Sequence, residues 1–85
     1  MSVFLAWTDA RPVVAELEGP WLELREAAPG LLLIESVDSL STVYHALKWS
    51  LPEGGPLIVA PLDRTPKLRG LAPGTTSWLR SRTAT

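Results

Sequence analysis

Residues 21–35 read WLELREAAPGLLLIE, and the contrast between the two ends of this stretch decides how the chain is laid out. Trp21–Glu26 alternates, with Leu22 and Leu24 on one side and Glu23 and Arg25 on the other, the period of a strand with one polar face. Ala27-Ala28-Pro29-Gly30 has proline then glycine where a type II turn takes them. Leu31–Glu35 is then apolar for four positions running, the pattern of a strand buried on both faces. The stretch is expected to form a β-hairpin of one alternating and one buried strand.

Outward from the hairpin, Val3–Trp7 (VFLAW) is another wholly apolar run and reads as a first buried strand. Between it and the hairpin, Pro12 suits a first helical turn and Gly19 can end one. Residues 12–18 therefore read as a short helix, although Ala15-Glu16-Leu17-Glu18 also alternates and a strand is the rival. On the other side, Asp38–Leu51 (DSLSTVYHALKWSL) is an amphipathic helix that starts at Asp38 or Ser39 and stops at Pro52. Its residues Leu40, Val43, Tyr44, Leu47 and Leu51 share about 100° of arc. Residues 52–55 form a loop, and Leu57–Leu62 a last strand containing Pro61.

The order β-α-β-β-α-β predicts an α+β ferredoxin-like sandwich with the first and third strands central. Charge in the second strand and Pro61 in the fourth suit edge positions. Two helices cover only one face of such a sheet, so its second face needs another cover. Residues 66–82 or a second copy of the chain can supply it, and the expectation here is a homodimer. The tail ends in a short C-terminal helix, Thr75–Arg82, capped by Thr75 or Thr76 and docked through Trp78 and Leu79. Thr83–Thr85 are expected to fray. At 85 residues the chain reads as a single domain, 1–62 being the α/β core and 63–85 a basic C-terminal segment.

Composition removes several functions. An apolar fraction of 46% with 20% charged residues is that of a globular chain, not a disordered one. The apolar runs fall far short of the ~20 residues of a membrane span. The N-terminus lacks the basic region and cleavage site of a signal peptide, and a cytoplasmic, bacterial protein is expected. With no cysteine and one histidine, neither a disulfide framework nor a metal centre is expected, and no cofactor is called for. No catalytic residue is assigned: Ser41 lies four residues before His45 on one helix, and no G-x-S-x-G elbow occurs.

Two surfaces remain as candidates. His45, Lys48 and Trp49 lie on the polar side of the 38–51 helix, where a large aromatic points to a contact surface for another protein. The second is basic. Residues 1–38 carry a charge of −5, whereas residues 60–85 carry +4. Arg64, Lys67, Arg69, Arg80 and Arg82 are therefore candidate anion or nucleic-acid contacts, together with the Gly70–Thr76 loop ahead of the last helix. The same polarity would also let the two ends of the chain attract each other. The expected function is a small non-enzymatic interaction module, an adaptor or accessory subunit working as a homodimer. A nucleic-acid-binding or nucleolytic protein using the basic segment is the alternative. A small-ligand enzyme using His45 comes third.

Overall fold

The computed structural model describes residues 1–52 and 54–84. Four strands, β1 (Ser2–Thr8), β2 (Glu23–Ala28), β3 (Leu31–Ser36) and β4 (Leu57–Pro61), form one antiparallel sheet in the order β2-β3-β1-β4. The two strands with continuous apolar runs, β1 and β3, are thus central, paired from Ser2↔Ser36 to Trp7↔Leu31. The hairpin turn is tighter than its sequence suggests, because Ala27 and Ala28 belong to β2 and only Pro29 and Gly30 turn. A bulge between Glu26 and Ala28 absorbs the extra residue. Gly30 has φ 80°, and a Cβ there would fall on the Thr8 carbonyl, so no other residue type fits this turn without strain.

The chain forms one longer helix, α1 (Leu40–Ser50), and one of six residues, α2 (Thr75–Arg80). The Ser39 side chain caps α1 by accepting from the Thr42 amide at 3.2 Å, and Pro52 bars its continuation. On α1, Val43 and Leu47 are fully buried against Phe4, Ala6, Leu32 and Ile34. Of the other residues on the expected apolar stripe, Leu40 is exposed and Tyr44 and Leu51 are half-buried.

The helix expected at residues 12–18 is not formed, and with it goes the two-helix layer of a ferredoxin-like sandwich. Only Val14–Glu16 makes a single 3₁₀ turn, with Val13 and Leu17 extended on either side. Arg11, just before Pro12, has φ 50°, outside the right-handed helical region. Two successive valines and a Gly-Pro pair close behind leave too few residues to offset helix nucleation. Val14 and Leu17 still pack onto the α1 side of the sheet, as does Trp21.

The second face is covered by the chain itself. Val3, Ala27 and Leu33 are buried with Trp78 and Leu79 of α2, and Leu62, Leu68 and Leu71 pack around them. The reason for expecting a second copy on that face is therefore removed. Two further expectations need correction. The cap of α2 is Gly74 in a left-handed conformation, not a threonine, and the Thr75 hydroxyl donates to the Ala72 carbonyl at 2.6 Å. The terminus also does not fray through Ala84: the Thr65 amide donates to the Ala84 carbonyl, and the Thr83 hydroxyl to Leu79. Thr85, like Glu53 in the 52–55 loop, lies outside the described residues.

Candidate functional site

The outer side of α1 carries an aromatic row. Trp49 is 79% exposed, more than any large apolar residue of the chain except Met1. Its ring stands 5.9 Å from His45, whose other side meets Tyr44 edge-on at 5.3 Å. The i, i+4 spacing sets the His45–Trp49 contact, as side chains four apart on a helix stack one above the other. Lys48 is exposed beside them in the last turn, where a cation favours the helix dipole. Beneath this row a cleft of about 750 Å³ opens between the end of α1 and the start of β4, lined by Tyr44, Lys48, Trp49, Leu51, Gly55 and Leu57. The three residues singled out on this helix thus share one exposed face.

The chemistry open to His45 is narrow. Its Nδ1 lies 2.7 Å from the Ser41 carbonyl, an acceptor only, so Nδ1 carries the proton and donates it there. The Ser41 hydroxyl is a longer 3.4 Å from the same nitrogen, which has no free lone pair to receive the hydroxyl proton. Among the described residues no carboxylate hydrogen-bonds the ring, so the orienting partner of a catalytic triad is missing. No cluster of three or more His, Asp or Glu with metal-binding spacing occurs among the described residues. No helix of the described residues is long and apolar enough to cross a membrane.

The basic segment divides. Arg82 is withdrawn from the surface role suggested for it: its Nη2 pairs with Glu23 at 2.9 Å and its Nε with Glu35 at 3.1 Å. The same guanidinium lies 4.4 Å from the centre of the Trp78 ring. The polarity between the acidic and basic ends is thus partly spent within the molecule, 47 and 59 residues apart in the chain. Arg64, Lys67, Arg69 and Arg80 remain exposed, with Lys67 and Arg80 lining one hollow of about 250 Å³. The Gly70–Thr76 loop is engaged by its own chain. Arg25 donates to the Pro73 carbonyl at 3.1 Å and Ala72 donates to Ala27, so the loop is fastened to β2.

Sequence reasoning missed the role of Arg25 and Glu23. They alternate out of phase with Leu22 and Leu24 as expected, but their side of β2 is the one the C-terminal segment covers. Leu22 is the residue left 60% exposed. It also placed Trp7 in the core. Trp7 is 42% exposed and pairs with Ile58, itself exposed.

Comparison of the chain with protein-family models, with curated proteins and with solved structures finds no match.

Proposed function

We propose that the chain is a small non-enzymatic interaction module, an adaptor or accessory subunit acting as a dimer, whose contact surface for another protein is the outer face of α1 around Trp49. The exposure of Trp49 carries this reading. Burying an indole of that size would recover on the order of 2–3 kcal/mol, and folding of the single chain leaves that gain unused. His45 and Lys48 give the aromatic centre a polar rim, the composition of an interface hot spot. The sheet belongs to a pared-down ferredoxin-like arrangement, with central first and third strands and one helix replaced by a turn.

The test uses tagged chain purified from its own host. Trp49→Ala should strip the proteins that co-purify with the wild type, weakening association by about 2 kcal/mol or more, while leaving the denaturant midpoint in place. Replacing Arg64, Lys67 and Arg69 together with alanine should leave the captured set unchanged. If instead the triple variant alone removes it, and binding falls steeply with salt, the four exposed cations point to a nucleic-acid partner and this reading fails. The acid–base reading of His45 is not favoured, because among the described residues no carboxylate hydrogen-bonds the ring and the Ser41 hydroxyl lies against the protonated Nδ1.

A further inference from the structure

We propose that two copies of the chain join edge to edge through β4, antiparallel about a two-fold axis at Val59, to make one continuous eight-stranded sheet. This inference names the surface behind the dimer in the reading above. It rests on the backbone of β4 and not on the face of α1.

The two edges of the sheet are treated differently. The outer edge of β2 is guarded by the charges of Glu23, Arg25 and Glu26, by the bulge at Glu26/Ala28, and by the 3₁₀ turn packed beside it. The Ala27 carbonyl there is already taken by the Ala72 amide at 2.8 Å. The β4 edge, LIVAP, has no charge and no bulge, and among the described residues nothing hydrogen-bonds to its outward groups. An apolar strand left open in this way is a template for another strand.

The pattern of donors then fixes the register. Leu62 donates its amide to the Val3 carbonyl at 2.8 Å, so by alternation Ala60 and Ile58 also face β1. Leu57, Val59 and Pro61 therefore turn their backbone groups outward, and Pro61 has no amide hydrogen to offer. Only the amides of Leu57 and Val59 point away from the sheet. With a two-fold axis at Val59, each Val59 amide meets the Val59 carbonyl of the other copy, and each Leu57 amide meets a Pro61 carbonyl. Every outward N–H is used, and the missing donor of Pro61 falls opposite Leu57, whose carbonyl stays free for water. In the same register Ile58, 59% exposed in the single chain, comes to lie across from Ala60 of the other copy, with Trp7 on the neighbouring strand. An extended segment of a different protein would meet the same edge, but only a second copy brings two prolines and four amides into this match.

Sedimentation equilibrium at micromolar concentration should give about twice the 9.2 kDa chain mass. Val59→Pro removes the central outward donor without touching a bond to β1 and should give a folded monomer. Val59→Ala trims the side chain, keeps the amide, and should remain a dimer. Should Val59→Pro fail to fold, Ile58→Lys tests the same edge at an exposed position, and there the dimer should weaken at least tenfold. Because the chain lacks cysteine, register can be read directly. Val59→Cys should cross-link to its twin on oxidation, whereas Leu57→Cys, about 14 Å from its twin at ~3.4 Å per residue, should not. A wild-type chain that stays monomeric overturns the proposal, as does a dimer indifferent to both Val59→Pro and Ile58→Lys. So does a dimer abolished by Trp49→Ala and not by the β4 variants, which would place the contact on α1. Loss of partner capture in Trp49→Ala with the dimer intact keeps the two surfaces separate.

Discussion

Arg82 holds the second layer of the molecule to the first. One guanidinium reaches two carboxylates on adjacent strands, Glu23 on β2 and Glu35 on β3, and stacks on the indole of α2. The two pairs are not equal. The Glu23 side chain is 47% exposed and its pairing is screened by water, whereas Glu35 is 12% exposed and would be left half-buried without a cation. Arg82→Ala is therefore expected to cost about 1–3 kcal/mol, mostly through Glu35 and Trp78, measured as a lower urea midpoint at unchanged slope. Arg82→Lys should recover little of it, since an ammonium cannot fork between two carboxylates and lie flat on a ring. A midpoint equal to wild type would mean that the clamp is dispensable and apolar packing alone holds α2. The opposite charge of the two ends allowed such an attraction, but the partners themselves were not legible in the sequence. Arg82 stood as one of five basic residues in a tail, and ion pairs spanning half the chain leave no local pattern. Trp49 was legible, because its exposure follows from helical period alone.

At the scale of single elements, legibility followed the strength of the local signal. The helix at 38–51 had a cap, a stop and a continuous apolar stripe, and α1 formed within two residues of its expected ends. Residues 12–18 had a proline and a glycine at fitting places but no stripe. Two β-branched residues and the Gly-Pro pair won, leaving one 3₁₀ turn. In β2 the alternation was right, and the face assigned to water was wrong, since period 2 says which residues share a face and not what lies over it. The stripe on α1 makes a further prediction. Leu47 is fully buried amid Phe4, Ala6, Leu32 and Ile34, so Leu47→Ala opens a cavity in the packed centre of this layer. A loss of roughly 2–5 kcal/mol is expected, enough to unfold much of so small a protein. A denaturant melt within about 0.5 kcal/mol of wild type would mean that α1 is not the cover of that face.

Over the whole molecule, the sheet is apolar on both sides, and the described residues cover most of both. α1 and the 10–21 segment close one face. The other is closed by residues 62–79, which cross it as an irregular stretch and a short helix. The sequence marked residues 66–82 as one of two candidates for this cover, with a homodimer the expectation; so Pro- and Gly-rich a stretch offers no amphipathic period that would single it out. What tips the balance is four irregularly spaced apolar side chains: Trp78 and Leu79 are buried with Val3 and Leu33, and the partly buried Leu68 and Leu71 pack against that cluster. At about 1.5–3 kcal/mol for each large side chain fully buried, Trp78 and Leu79 alone supply a large share of the stability of a domain this size. Residues 63–85 are then a structural half of the fold and not an appended basic tail. A chain ending at Leu62 is expected to lose its native far-UV signal or to aggregate through the bared face, with strong binding of an apolar dye. Adding residues 63–85 back as a separate peptide should restore a soluble, folded species. If residues 1–62 instead stay soluble and fold cooperatively by themselves, the second core contributes little, and the Arg82 clamp fastens a segment the sheet does not need.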